Sequence, residues 1–83
     1  MMTRNEFITA LENGRKDFSN EKLKDLDLSG LSLIGIDFSK SDLRGASFEK
    51  SNLYDANFTG ANLKNVNIHQ AILSNSNIYH FQK

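Results

Sequence analysis

An apolar residue recurs at every fifth position through most of this chain. Thirteen consecutive members of the series are Leu, Phe or Ile: Phe18, Leu23, Leu28, Leu33, Phe38, Leu43, Phe48, Leu53, Phe58, Leu63, Ile68, Leu73 and Ile78. A period of five fits neither an α-helix, which repeats every 3.6 residues, nor a strand, which alternates every two. The series therefore predicts a repeat architecture, in which each short unit buries its apolar side chain by stacking on its neighbours.

Each five-residue unit has a polar and an apolar side. If the central apolar residue is position i, position i−2 is mostly small or aliphatic and position i−1 is mostly Asp, Asn or Ser, as in the segment 56–60, ANFTG. Because side chains alternate along an extended chain, positions i and i−2 point to the same side. Position i+2 carries the turn formers Gly30, Gly35, Gly45, Gly60, Asn65 and Asn75. Short strands and turns with one apolar side predict a chain that winds around its own core.

Residues 17–80 resemble the pentapeptide repeat family, whose motif is usually written A(D/N)LXX. The match is specific because the motif recurs in register without insertion. The resemblance implies an all-β fold, a right-handed quadrilateral β-helix (a β-solenoid), with four units to a coil of twenty residues and about three coils here. Stacking the units by twenties gives four core columns. We expect the residues that define this core to be Phe18, Leu28, Leu33, Phe38, Leu43, Phe48, Leu53, Phe58, Leu63, Ile68 and Leu73.

The segment before the repeats is predicted to form one short helix, at about residues 4–13. Thr3 and Glu6 have the spacing of a capping box, and Asn13-Gly14 is a plausible stop. One side of this helix would carry Phe7, Ile8, Ala10 and Leu11. A helix this short is not stable alone in water, so we expect Phe7, Ile8 and Leu11 to pack on the first coil. The resemblance likewise implies an N-terminal cap, which divides the chain into a capping helix at 1–16 and a β-solenoid at 17–83.

Composition argues against several classes of function. Ten basic and ten acidic residues cancel, in residues 1–25 as well as in residues 26–83, so no bulk charge attracts nucleic acid or an anionic membrane. Cysteine is absent and no long apolar run occurs, which favours a cytoplasmic protein without a signal peptide or membrane span. His69 and His80 fall on different faces, and no catalytic constellation emerges. We expect no enzymatic activity, no cofactor and no metal.

Two features of the solvent-facing positions are candidates for binding. Lys24, Arg44 and Lys64 form one column of cations, which would suit an anionic ligand, although we favour a solvated column balanced by nearby acidic residues. On another face Ile34, Tyr54 and Ile72 form an apolar strip, a candidate contact for an unidentified protein partner. Scattered exposed apolar residues are the competing interpretation of that strip.

The C-terminal end has no predicted helix to cover it. Ile78, Tyr79 and Phe81 are therefore candidates for an end-on homodimer interface, as the family resemblance also suggests; alternatively, Phe81 folds over the end of a monomer. The predicted function is a non-catalytic structural or protein-interaction module, a small β-solenoid scaffold that self-associates through its C-terminal end. An inhibitor of a type II topoisomerase that mimics DNA is the alternative, which the neutral charge and short length disfavour.

Overall fold

The computed structural model of the chain describes residues 1–78. These residues contain one α-helix, α1 (Arg4–Glu12), followed by a series of isolated β-bridges in place of extended strands. The helix predicted for residues 4–13 is thus present and ends one residue earlier. Its capping box is formed: the Glu6 N–H donates to the Thr3 hydroxyl at 3.1 Å, and the Thr3 N–H donates to the Glu6 carboxylate at 2.8 Å. The hydrogen bond from the Thr3 N–H to the carboxylate is the main cause that lowers the pKa of Glu6, and an interaction of the carboxylate with the Thr3 hydroxyl adds to it.

All the bridges are parallel and join residues that are twenty positions apart. They form four rows, at 17, 37 and 57, at 22, 42 and 62, at 27, 47 and 67, and at 32, 52 and 72. We call residues 17–36 the first coil, 37–56 the second and 57–76 the third. The four units of each coil provide four faces. Face A carries the row at 17, 37 and 57, face B the row at 22, 42 and 62, face C the row at 27, 47 and 67, and face D the row at 32, 52 and 72.

Backbone hydrogen bonds between coils follow one rule. The N–H groups of positions i and i+2 donate to carbonyls of the next coil, as Phe38 does to Asn57 and Lys40 to Thr59, both at 2.8 Å. In the opposite direction, the N–H of position i−1 donates to the preceding coil, as Asn57 does to Ile36 at 2.9 Å. Units of the second coil are therefore tied to the coils on both sides, which compensates for the absence of long strands.

The core is filled by positions i and i−2, and aromatic rings stack along its axis. Phe18, Phe38 and Phe58 are fully buried on face A, and the ring centroids of Phe38 and Phe58 lie 5.6 Å apart. At position i−2 the small residues Ser41 and Ser51 are buried as well, and their hydroxyls donate to the carbonyls of Phe38 and Phe48 at 2.6 and 2.8 Å. Small residues at i−2 thus fit beside large ones at i without leaving a buried polar atom unpaired.

The third coil is only partly buried: Phe58 is fully buried, but the three later core residues predicted for this coil are not. Ile68 is 37% exposed, and Leu63 and Leu73 are only half-buried. All three lie in the last coil, and no further coil among residues 1–78 stacks on their C-terminal side. Ile78, which follows Phe58 by twenty residues, is 8% exposed and joins the core.

The corners between faces share one backbone conformation. Position i+2 has a positive φ in twelve consecutive units, and only four of these residues are glycine. The other eight are Asn20, Asp25, Lys40, Lys50, Asp55, Asn65, Gln70 and Asn75, with φ between 58° and 63°. At many corners the N–H of position i+3 donates to the carbonyl of position i, as Ser51 does to Phe48 at 2.9 Å. This is the pattern of a type II turn, which requires a positive φ at its third residue.

Helix α1 packs on the first coil through Phe7. This side chain is fully buried, and its ring centroid lies 4.3 Å from that of Phe18. Met2, Ala10 and Leu11 pack against the same core, whereas Ile8, also expected there, is half-buried. Within residues 1–78 no helix is long and apolar enough to cross a membrane.

Candidate interaction surfaces

The apolar strip of Ile34, Tyr54 and Ile72 lies on face D and is exposed. Ile34 and Tyr54 both occupy position i+1, in consecutive coils, and their side chains are 41% and 46% exposed. Ile72 occupies position i−1 in the third coil, where it bridges to Asn52, and it is 50% exposed. With neighbouring coils about 4.8 Å apart, the three side chains are close enough to contact one partner surface.

The backbone beneath the strip is held on both sides. The carbonyl of Tyr54 accepts from the Gly35 N–H, and the carbonyl of Ile72 accepts from the Leu53 N–H, both at 2.8 Å. The Tyr54 N–H donates to Asn52 Oδ1 at 3.0 Å, which fixes the local turn. Leu53, directly behind Tyr54, is fully buried. The strip is therefore presented by a rigid backbone, so little conformational entropy would be lost on binding.

The cation column of Lys24, Arg44 and Lys64 lies on face B, and its central member is already paired. Arg44 donates to both carboxylate oxygens of Asp42, at 2.8 and 2.7 Å. This bidentate hydrogen bond lowers the pKa of Asp42 to about 2 and raises that of Arg44. An anionic ligand would have to displace Asp42, so the geometry supports the solvated, balanced column over a phosphate site.

The candidate dimer residues are only partly described. Ile78 is largely buried in the core, while Tyr79 and Phe81 lie outside the described residues. His80, which the sequence places on a different face from His69, lies outside them too. Among residues 1–78, no group of three or more His, Cys, Asp or Glu side chains is placed to hold a metal ion.

At the N-terminal edge of the first coil, cationic side chains bind backbone carbonyls. Arg4 donates to the carbonyls of Asp27 and Ser29 at 2.8 and 3.1 Å, and Lys16 donates to the carbonyl of Ile34 at 2.8 Å. One sign of this arrangement is visible in the sequence, because Lys16 occupies an i−2 position that is small or aliphatic in most units. No local motif marks Arg4 for such a role.

Comparison with known proteins identifies the repeat. A family model described as pentapeptide repeats matches in eight copies, over residues 22–60 and 41–78, which together span more than half of the chain. No curated protein matches the chain.

Two solved structures are similar to the chain. One is alr5209, a pentapeptide repeat protein from Nostoc PCC 7120, with 29% sequence identity over 89% of this chain and 74% of that one, and a TM-score of 0.43. The other is HetL, a pentapeptide repeat protein involved in heterocyst differentiation regulation from the cyanobacterium Nostoc sp. strain PCC 7120. It shares 23% identity over 92% of this chain, with a TM-score of 0.45, and the match spans only 36% of HetL.

Proposed function

The chain belongs to the pentapeptide repeat family, whose fold is a right-handed β-helix, and from this premise we propose that it is a non-catalytic scaffold that binds another protein. Such a scaffold supplies rigid surface positions rather than reactive groups. Several of its ionisable side chains serve turns and edges in the described residues, as Asp42 does by accepting from the Arg44 backbone and side chain. The proposal includes a cytoplasmic location and no cofactor.

The proposed architecture is a quadrilateral solenoid of about three coils, residues 17–83, preceded by a capping segment, residues 1–16. Four rows of bridges at a spacing of twenty residues support the four sides and the coil length. The burial of Phe7 against Phe18 supports a capping role for α1, because the helix covers the end of the aromatic column. An uncovered solenoid end would expose both apolar surface and unpaired backbone groups.

The observation that carries the proposed binding function is the apolar strip. Five large apolar side chains are exposed among the described residues, and three of them are Ile34, Tyr54 and Ile72 on face D. If these residues were exposed by chance, they would lie on several faces. Instead, the three lie on one face, in three consecutive coils. Tyr is also enriched at the centres of protein interfaces. The occupant we propose is an apolar surface of another protein.

Self-association through the C-terminal end is the second part of the proposal. Its support is the incomplete burial of the third coil, where Ile68 is 37% exposed and Leu63 and Leu73 are half-buried. A two-fold contact between two such ends would bury these side chains in both copies. Ile78, Tyr79 and Phe81 are the candidate contact residues, and the competing arrangement is a monomer whose end Phe81 covers.

The binding function is tested by placing charge on the strip. In a pull-down from native lysate, Tyr54→Glu/Ile72→Glu should lose the captured partner with little change in melting temperature, since both side chains are exposed. Lys64→Glu/His69→Glu places two carboxylates at exposed positions of faces B and C and should keep the partner. Capture of the same proteins by the strip variant would refute the proposal, and unfolding of that variant would show that the strip belongs to the core.

Self-association is tested separately by light scattering across a wide range of protein concentrations. The wild-type protein should show the mass of a dimer, and Tyr79→Ser/Phe81→Ser should shift it toward the monomer. A wild-type protein that stays monomeric at the highest concentration contradicts the proposed dimer and leaves the strip proposal unaffected.

A further inference from the structure

The fold sorts the outward-facing charges of the solenoid by face. In the three coils, residues 17–76, positions i−1 and i+1 are the ones whose side chains point away from the core. Every lysine and arginine at these positions lies on face B: Lys22, Lys24, Arg44 and Lys64. The period of twenty thus brings together four cations that are spread over more than forty residues of sequence.

The other three faces carry no cation at the same positions. Face D has no charged residue there, and faces A and C have only acidic ones: Asp17, Asp37, Asp27 and Glu49. The chain as a whole has no net charge, and neither half of it is basic. The cationic character of face B is therefore a property of the folded solenoid, which a count of charges along the sequence does not reveal.

Three of the four cations on face B are free of local acidic partners. Arg44 is the exception, because it donates to both carboxylate oxygens of Asp42 at 2.8 and 2.7 Å. Lys22, Lys24 and Lys64 are exposed and form no ion pair with any of residues 1–78. The corners that border the face carry one charge of each sign, which offset each other: Lys40 and Asp25. Face B therefore has an excess of three positive charges, although Arg44 is not available to clamp a phosphate.

The lysines stand on a rigid backbone at a regular spacing. Leu23, between Lys22 and Lys24, donates its N–H to the Asp42 carbonyl at 2.8 Å, and the Lys64 carbonyl accepts from the Gly45 N–H at 2.9 Å. Two residues of extended chain separate Lys22 from Lys24 by about 6.6 Å, and two coils separate Lys24 from Lys64 by roughly 10 Å. Side chains at alternate positions of an extended peptide have the first of these spacings.

We propose that face B binds an acidic, extended segment of another protein. Carboxylates at alternate positions of that segment pair with Lys22 and Lys24, and a further carboxylate reaches Lys64. Charge complementarity of this kind sets the choice of partner and its orientation. A nucleic acid fits less well, because a face of five residues is only about 17 Å wide. Phosphates beyond that width would meet the acidic residues of faces A and C.

This surface is separate from the apolar strip. Faces A and C lie between face B and face D, so a partner on one side does not cover the other. The inference therefore depends neither on the strip nor on the proposed C-terminal dimer.

Fluorescence anisotropy with the full-length protein tests the inference. The probe is a labelled peptide with Glu at alternate positions, in about 0.05 M salt, where screening is weak. The wild-type protein should bind it and should not bind the same peptide with Gln in place of Glu. Lys24→Gln/Lys64→Gln should raise the Kd about tenfold, since two exposed ion pairs are lost. Lys50→Glu changes the net charge by the same two units, at an exposed corner between faces C and D, and should raise the Kd about twofold or less. Equal losses in the two variants, or a wild-type protein that does not bind the Glu peptide, would overturn the inference.

Two further measurements examine the chemistry of the partner. Lys24→Glu/Lys64→Glu should lose the Glu peptide and bind a peptide with Lys at alternate positions, which the wild-type protein should not bind. Failure of this exchange would show that charge on face B does not select the partner. Labelled DNA of equal charge, single-stranded or duplex, should bind more weakly than the Glu peptide, and tighter binding would overturn the proposed class of partner. If one of the variants with two substitutions does not fold, Lys22→Gln/Lys24→Gln removes the same charge as the Gln variant and gives the same decision.

Discussion

Replacing Phe38 with Ala removes the ring that links the helix to the coils. Phe38 is fully buried, and its centroid lies 6.2 Å from those of Phe7 and Phe18, 5.5 Å from that of Phe48 and 5.6 Å from that of Phe58. These side chains come from α1 and from all three coils. The substitution therefore leaves a cavity at the junction of every packed layer, with bonded coils above and below that restrict its collapse.

The expected cost follows from truncation data for buried aromatic residues. Phe→Ala in a core costs about 3–5 kcal/mol, more where the site does not collapse, and we expect the upper half of that range here. A chain of this length has a total stability of about 4–12 kcal/mol. Phe38→Leu fills most of the volume and loses only the ring contacts, so its cost should stay below about 2 kcal/mol. The exposed control Ile34→Ala should change the stability by about 0.5 kcal/mol or less.

Urea denaturation followed by circular dichroism measures these differences. The midpoint should fall in the order Ile34→Ala, Phe38→Leu, Phe38→Ala, with an unchanged slope if unfolding remains two-state. A Phe38→Ala protein that unfolds cooperatively at the wild-type midpoint would refute the assigned register, because the register alone places Phe38 at the centre of the aromatic column.

Three other predictions concern a corner, a surface ion pair and a possible target. Gly30 and Gly45 have the same φ, +68° and +69°, but a Cβ at Gly45 would lie 2.1 Å from Asp25 Oδ1, whereas one at Gly30 meets no atom within 4 Å. Thermal melting should therefore show a greater loss for Gly45→Ala, by about 1 kcal/mol, and the difference should shrink in an Asp25→Ala background; equal losses would contradict this. The folded pKa of Asp42, about 2, lies below its ordinary 3.8 because of Arg44, so its stabilising effect is complete above pH 3.8 and is lost as the pH falls through about 2. The difference in melting temperature between the wild type and Asp42→Asn should shrink over that interval, and a constant difference would argue against the pair. Finally, a chain with no net charge should leave the DNA supercoiling activity of a type II topoisomerase unchanged, and inhibition would favour the DNA-mimic function instead.

The inward-facing side of the repeat could be predicted from the sequence because burial depends on a simple alternation. The alternation of small and large residues placed positions i−2 and i inside, as Ser51 and Leu53 show. The prediction of burial was wrong at Ile68. The apolar period of five continues through the third coil, but a side chain there is buried only if a further coil covers it. A pattern in the sequence records which side of a unit is apolar, and not whether a neighbour covers it.

The corners and the N-terminal edge were predicted less well, and for a different reason. Glycine and asparagine marked some corners, but Lys40, Lys50 and Gln70 have the same positive φ. At Lys40 and Lys50 the N–H donates to the next coil, to the carbonyls of Thr59 and His69, and these bonds outweigh the preference of the residue itself. At Gln70 the turn is closed by the bond from the Ala71 N–H to the Ile68 carbonyl. The edge contacts of Arg4 join residues more than twenty positions apart, and no local motif encodes them.

The spacing of twenty residues between bridged positions also restricts how a gene for such a protein can change in length. A duplication or deletion of one five-residue unit preserves the reading frame and the apolar period of five. It nevertheless moves all later residues by one face. Phe58 would then no longer stand over Phe38, and Ile72 would leave the face that carries Tyr54. Length can therefore vary freely only by four units at a time, so that descendants of one ancestor should differ by whole coils.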